Sequence, residues 1–432
     1  MDEILARAGA LGVQAEVLRI TSRETSVEFE NNRLKRVETA QRAGIAVRVI
    51  AHGHLGFATS SEPADESGLL NRAITTAAFG KQVSFAFPGP CGDQAVEIKN
   101  RAVARLTPEE MVLYGEDLIG PMRAANPKFK AAVSLTAARA QASLANTSGF
   151  AGATSKTIFG GSVGGILVEG ENFLELAEGH FSCRRTDVLR PLRDRVVTHL
   201  GQSRHNAPFG SGKYRVLFTP VAHAALLGPI LACLNGKAVE KGSSPFRDRL
   251  GVEVFSPLLT LLDDPLLAYF PATAPYDGEG MPSARTILIE RGVLRNFYVD
   301  LDTAAALGLK PNANGRRGGW TAPPAPGPST IVVASPGDEP SSRLLAGLDE
   351  GLLVHCLMGA NQGNPYGGVI SANIMLGFVV RRGEIVGRVK NTMLAVNVFD
   401  LLRSQLVCLS GDREEVGGAA ILPYLLADGV SG

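Results

Sequence analysis

Residues 25–50 read TSVEFENNRLKRVETAQRAGIAVRVI, and the fold class turns on this stretch. Thr25 to Glu30 alternates apolar and polar side chains, as a strand with one buried face requires. Asn31-Asn32 follows, a pair that accepts left-handed backbone and so suits a tight turn. The chain then runs through Arg33 to Arg42 into Gly44-Ile45-Ala46-Val47-Arg48-Val49-Ile50, whose β-branched residues favour a second extended segment. The stretch is a meander. Upstream, residues 2–10 have a short helical pattern and Ala15 to Thr21 alternates like a strand. Downstream, His52-Gly53-His54 marks a turn. Glu66 to Phe79 then places Leu69, Leu70, Ala73, Ile74 and Ala77 on one helical face.

A second unit of the same kind begins at Thr107-Pro108-Glu109-Glu110, with Thr as N-cap, Pro in the first turn and Glu three residues on. Its helix precedes two strand-like runs, Phe129 to Ala145 and Thr154 to Glu169, joined by Asn146-Thr147-Ser148-Gly149, and a helix within Leu192 to Gly201. No fixed-period repeat relates the two units. From Gly210 onward, short apolar runs are cut by Gly and Pro, with one helical stretch at Ala222 to Leu234 and a Pro-rich insertion at Thr321 to Ser329 that reads as a surface loop or extended spacer. The expected fold is α+β: an N-terminal α+β domain at 1–85, a linker at 86–105, a second α+β domain at 106–208 and a β-rich C-terminal domain at 209–432.

Composition agrees with a multi-domain globular protein, since 432 residues exceed the usual domain size of about 100 to 200. The chain is 45% hydrophobic and 20% charged, and its 49 glycines and 25 prolines imply many turns. Lys and Arg total 43 against 42 acidic residues, so a net charge of +1 gives no reason to expect nucleic acid or an anionic membrane as partner. The five cysteines are scattered and never spaced as CxxC, which indicates neither a disulfide framework nor a zinc ribbon. With an acidic N-terminus and no run of about 18 apolar residues, a cytoplasmic protein is expected.

Several segments together resemble one known family. In the N-terminal unit they are Thr25 to Glu28, Val37-Glu38, Gly44 to Ile50 and Gly53-His54-Leu55-Gly56-Phe57-Ala58. Further on come Tyr276-Asp277-Gly278-Glu279-Gly280, Arg285-Thr286, Leu288 to Leu294, Thr303-Ala304 and Asn312 to Arg317. Leu357 to Pro365 and Gly383-Glu384-Ile385-Val386 complete the order. These are similar to the TldD/PmbA family, and the likeness covers almost the whole chain. The resemblance implies a three-part fold of two α+β pieces and a β-rich domain. It also implies partnership: a TldD subunit carries an HExxxH zinc site, and a TldE/PmbA subunit without it closes the cleft where unfolded or short peptides are cut.

A zinc peptidase needs closely placed ligands, an open position for water and a base. Aligned on Gly236 and Lys241 to Phe246, the three motif positions fall on Leu227, Gly228 and Ala232, none of which binds zinc. His223 lies one turn earlier, but Ala224 and Gly228 stand where its motif partners would be. The cysteine that TldD chains carry near their end has no counterpart around Gly417-Gly418. The resemblance therefore assigns the TldE/PmbA role: no catalytic or metal residue in this chain, zinc on a TldD-like partner in a heterodimer, and a peptide substrate.

Other residues carry alternatives. His52 and His54 read as turn residues or an HxH metal pair that lacks further ligands. Glu178, His180 and Cys183 form a Glu-x-His-x-x-Cys pattern. His355-Cys356 suggests a base and nucleophile, but neighbours on a strand point to opposite faces. Arg316-Arg317 could clamp a peptide carboxylate or form surface salt bridges. Asp277, Glu279 and Glu290 fit turn-holding or pairing with those arginines. Asn361 and Asn364 could cap backbone or face the cleft. The candidate peptide-cleft or interface positions are Asn314, Arg316, Arg317, Asn361, Asn364 and His223. A stand-alone peptide-binding or scaffold homodimer is the alternative function; an independent metallopeptidase with an unrecognised site also stays open.

Overall fold

The protein's computed structural model describes residues 1–61, 66–92, 94–170 and 172–431. Helix α1 (Asp2–Ala10) leads into β1 (Gln14–Glu30), β2 (Arg33–Ala51), β3 (His54–Ser60) and α2 (Glu66–Ala77). Then come α3 (Arg101–Arg105), α4 (Pro108–Ala125), β4 (Lys130–Asn146), β5 (Ala151–Glu169), β6 (Asn172–Ser182) and α5 (Leu189–Gln202). The six strands form one antiparallel sheet in the order β3-β2-β1-β4-β5-β6.

Strand β1 is the seam. It pairs with β2 from Gln14 opposite Ile50 to Glu30 opposite Arg33, and with β4 from Glu16 opposite Asn146 to Phe29 opposite Val133. The runs Ala15 to Thr21 and Thr25 to Glu30 are thus one strand, and both N-terminal helix–strand units share one sheet. The turn residues Asn31 and Asn32 have φ of 52° and 67°, the left-handed region that Asn tolerates best after Gly. At one end of β1, Ala15 and Val17 pack with Leu69 and Leu70 of α2. At the other, Val27 and Phe29 pack with Met111 and Leu118 of α4. Thr107 caps α4: its Oγ1 accepts from Glu110 N at 3.2 Å, and Glu110 Oε2 accepts from Thr107 N at 3.0 Å.

The C-terminal half begins with β7 (Lys213–Phe218), α6 (Pro220–Cys233), α7 (Gly236–Glu240), β8 (Thr260–Asp263), β9 (Thr286–Glu290) and β10 (Val293–Leu294). It continues through α8 (Leu301–Leu307), β11 (Gly315–Arg316), β12 (Ala325–Pro326), β13 (Ile331–Ala334), α9 (Ser341–Ala346) and β14 (Glu350–Met358). It ends with β15 (Val369–Arg381), β16 (Glu384–Arg388), β17 (Met393–Asn397), α10 (Val398–Asp400), β18 (Leu406–Val416) and β19 (Ala420–Ser431). The main sheet runs β10-β9-β8-β13-β19-β17-β15-β14-β7, and β7 pairs back to β19. Strands β19, β17, β15, β14 and β7 therefore close a ring, completed where Ala395 meets Ser431. The α+β class with a β-rich C-terminal part stands as expected.

Two local expectations need correction. Strand β6 was not anticipated. The Pro-rich insertion is not a free surface loop: Ala325–Pro326 pairs with Gly315–Arg316, and Pro324 and Pro326 are buried. Proline fits because β12 is only two residues long and at an edge, where a missing N–H costs little. Among the described residues, no helix is long and apolar enough to cross a membrane.

Candidate functional site

Helix α6 is apolar on every side, so burial rather than amphipathicity holds it: Leu226, Leu227, Ile230 and Cys233 are all in the C-terminal core. Thr219 starts it, with Pro220 in the first turn. The three positions that the sequence aligns with a zinc motif are now placed. Leu227 is buried in that core, while Gly228 and Ala232 are half-buried. A Cβ at 228 would stand 2.9 Å from Asn361 Oδ1, so the asparagine occupies the space a longer side chain would take. Hydrocarbon and glycine offer no lone pair to an ion, and these residues do not fit the family's zinc.

Beside Gly228 lies a groove of about 210 Å³, lined by Pro229, the loop Ala360 to Pro365, and Val369. Asn361 and Asn364 are therefore brought together at one surface. Asn364 also caps the following turn, accepting from Tyr366 N at 3.0 Å. Exposed Met358, Val369 and Met393 border this region; Met358 and Met393 flank Asn373 on neighbouring strands.

His223 corrects its assignment as a cleft or interface position. It is fully buried, with Nδ1 3.0 Å from the Pro423 carbonyl and Nε2 without a hydrogen-bond partner among the described residues. Burial pushes its pKa down to about 4, so the ring is neutral at pH 7.

Asn314 is corrected likewise. Asn314 is 1% exposed and donates to Asp263 Oδ2 at 2.6 Å and to the Gly327 carbonyl at 3.2 Å. Arg317 donates to the Gly278 carbonyl at 2.5 Å and to Glu16. It belongs to a buried charge network: Arg48 donates to Glu16 at 2.9 and 3.2 Å and to Glu279 Oε1 at 2.7 Å, and Glu279 Oε2 accepts from Leu301 N at 2.7 Å. Asp277 holds the turn, accepting from Glu279, Met281 and Gly315 N–H groups, each at 2.9 Å. Glu290 pairs with Arg295 instead of the tandem arginines. Arg316 and Arg317 border the same cavity but differ in pairing: Arg317 is bonded to Gly278 and Glu16, whereas the nearest carboxylate to Arg316 is Asp263 at 3.8 Å.

The other histidine patterns dissolve or reassemble. His52 is a left-handed turn residue with φ of 51°. His180 sits 3.4 Å from Glu415, and Cys183 donates to the Phe270 carbonyl, so Glu178, His180 and Cys183 form no ligand set. Instead Glu178 meets His355 Nε2 at 2.6 Å and His199 Nδ1 at 4.0 Å, and His355 Nδ1 lies 3.1 Å from Thr219 Oγ1. Two histidines and a carboxylate within 4.8 Å are the one group among the described residues that could hold a metal. A tetrahedral zinc, however, brings ligand atoms to about 3.3 Å of each other, given bonds of about 2.0–2.1 Å. Arg195 Nη1, 3.7 Å from the other Glu178 oxygen, places a fixed cation against any ion there. Burial, then His355 and Arg195, drop the His199 pKa to about 3. The set works as a clasp: a hydrogen bond joins β6 to β14, and His199 of α5 packs its ring against His355. Burial beside Glu178 raises the Cys356 thiol, which does not favour a nucleophile.

A β-rich domain built around a buried helix, preceded by long antiparallel strands, defines a class, and the sequence comparisons identify it. The pattern of the PmbA/TldA metallopeptidase C-terminal domain matches residues 211–431, and that of domain 1 of the same proteins matches residues 15–78. The chain belongs to the TldD/PmbA family of metallopeptidases. It is 25% identical over 402 residues to an uncharacterised protein of Methanocaldococcus jannaschii, covering 91% of each chain. It is 24% identical over 408 residues to a metalloprotease of Methanothermobacter thermautotrophicus, covering 90% of this chain and 86% of that one. The crystal structure of TldE from Thermococcus kodakarensis has the same fold, with a TM-score of 0.91 at 20% identity, covering 100% of this chain and 99% of the other.

Proposed function

We propose that this chain is the TldE/PmbA-type subunit of a heterodimeric metallopeptidase, binding a TldD-like chain that holds the zinc and performs hydrolysis. The observation that carries the reading is the trio Leu227, Gly228 and Ala232: the helix is present, but its side chains supply neither ligand nor base. None of the seven histidines is followed by glutamate, so no shift of register restores the motif. The groove at Gly228, with Asn361 and Asn364, walls the cleft on this side, and an extended unfolded or precursor peptide gains backbone hydrogen bonds along it. The exposed methionines beside the groove suit a partner surface, since their flexible side chains adapt to varied contours. We place the pair in the cytoplasm, where the five free cysteines stay reduced.

Co-expression with a TldD-like chain tests this. The two are expected to co-purify at a ratio of about one to one, with peptide cleavage requiring both and zinc on the partner alone. Stoichiometric zinc and cleavage in this chain by itself would overturn the proposal. A homodimer that ignores such a partner would favour the scaffold reading.

A further inference from the structure

A cavity of about 360 Å³ lies between the N-terminal sheet and the C-terminal domain, away from the Gly228 groove. Its walls are mostly apolar: Leu18 and Ile20 of β1, Leu144 of β4, and Pro271 and Pro328 from the facing domain. Three cations line it: Arg317, already bonded to Glu16 and the Gly278 carbonyl, Lys156 from β5 and Arg316 from β11. Lys156 and Arg316 are poorly matched. Among the described residues Lys156 Nζ has one protein acceptor, the Pro271 carbonyl at 2.7 Å. Among the described residues Arg316 has no hydrogen-bond acceptor; Nε and Nη2 are buried and unpartnered, and the nearest carboxylate oxygen, Asp263 Oδ2, is 3.8 Å away.

The neighbouring acids cannot swing over to serve Arg316. Asp263 is fully buried and already accepts from Ser329 N, Ser329 Oγ and Asn314 Nδ2 at 2.6 to 2.7 Å. Asp277 is saturated by three backbone N–H groups at 2.9 Å. Burial lowers the pKa of both Arg316 and Lys156, against the weaker opposing pull of Asp263 and Asp277 on Arg316. A buried cation without a hydrogen-bonded counter-ion is costly, and an anion entering the cavity would relieve that cost. The volume sits at the lower end of small-ligand pockets, and the apolar walls call for hydrocarbon next to the anion.

We infer that this cavity binds the carboxylate of a small apolar acid, the free C-terminal residue of a peptide being the chemistry that fits, with Arg316 and Lys156 as its counter-ions. The site belongs to this chain alone and stands independently of the partner proposed above.

Calorimetric titration of the purified full chain tests it with four probes: N-acetyl-L-leucine, N-acetyl-L-leucinamide, the tripeptide Gly-Gly-Leu, and inorganic phosphate. The expected result is saturable binding of the acids, with the amide and phosphate at least about tenfold weaker, as loss of a charge-assisted hydrogen bond predicts. Tighter binding of the tripeptide points to a peptide terminus, and tighter binding of the acetylated amino acid to a free acid; either supports the site. Arg316→Gln and Lys156→Met should each weaken the acid by about tenfold or more, with Arg316→Lys recovering part of the loss. Ala142→Leu, which narrows the cavity without touching a cation, should also block binding and reads the same site if a charge variant does not fold. Equal binding of acid and amide, phosphate binding as tight as the acid, or no saturable binding would each overturn the inference.

Discussion

Replacing Arg48 with methionine keeps most of the side chain's volume and removes its charge from the centre of the network. Three hydrogen bonds disappear, two to Glu16 and one to Glu279. Glu16 keeps Arg317 as a counter-ion, whereas among the described residues Glu279 keeps only the Leu301 N–H. Both carboxylates are 1% exposed, so water cannot replace the guanidinium. Breaking a buried pair from one side costs about 3–5 kcal/mol. Glu279 has an escape route in taking up a proton. Burial, with Asp277 nearby, already raises its pKa to about 7 despite the opposing pull of Arg48. Without Arg48 the folded-state pKa rises further, while the unfolded value stays near 4.5. Above pH 7 the folded variant therefore holds a proton that the unfolded chain has released. Relative to wild type, its stability falls by up to about 1.4 kcal/mol per pH unit until that higher pKa is passed. Urea unfolding at pH 6 and pH 8.5 should show a loss of about 3 kcal/mol at the lower pH and nearer 5 at the higher. Adding Glu279→Gln should remove the extra loss at pH 8.5. A pH-independent cost below about 1 kcal/mol would refute the buried network as drawn.

His223 makes the opposite prediction for acid. Its folded pKa near 4 lies below the unfolded 6.5, so it contributes stability above pH 6.5 that is lost as pH falls towards 4. His223→Gln should reduce that loss by up to about 3 kcal/mol, measured as a lower midpoint of acid unfolding. Glycine substitutions should separate two environments. Gly228→Ala meets only the movable end of exposed Asn361, and its helix preference offsets the contact, so unfolding should shift by less than about 1 kcal/mol. Gly292→Ala, with φ of +80° and a Cβ 2.2 Å from the Phe255 carbonyl, should cost more than about 2 kcal/mol by the same assay. Thr107→Ala removes the α4 cap and should cost about 1 kcal/mol, read by urea unfolding and by faster amide exchange in the first turn of α4.

What could be read from sequence followed local rules, and what could not depended on distant partners. Thr107 and Glu110 announced their capping box three residues apart, and Asn31-Asn32 announced its turn. The unbroken length of β1 was hidden because Thr21, Arg23 and Thr25 lie between its two packing zones, where no apolar alternation survives. Strand β6 was missed for a related reason: after Leu174 and Leu176, its buried positions are Glu178, His180 and Ser182, which read as solvent-facing. The partners of Glu178 come from α5 and from β14, and no spacing links them. Arg316-Arg317 looks like a matched pair in sequence, yet their partners, Asp263 for one and Glu16 for the other, come from distant strands that no spacing announces. His223 and Asn314 could not be told from surface residues without knowing what covers them.

The last strand has an effect on the order in which the molecule can assemble during synthesis. The N-terminal sheet is complete in the chain by Ser182, whereas β19 contacts β7, β13, β17 and β18 and is made of residues 420–431. At ribosomal speeds of about 5–20 residues per second, those 250 or so residues take roughly ten seconds or more to appear. Until β19 appears, one edge of β7 and, once it is made, one edge of β17 stay unpaired, and helix α6 lacks one wall. Nascent chains should therefore lean on chaperones late, and trimming even the final few residues should damage the C-terminal half far more than the region before it.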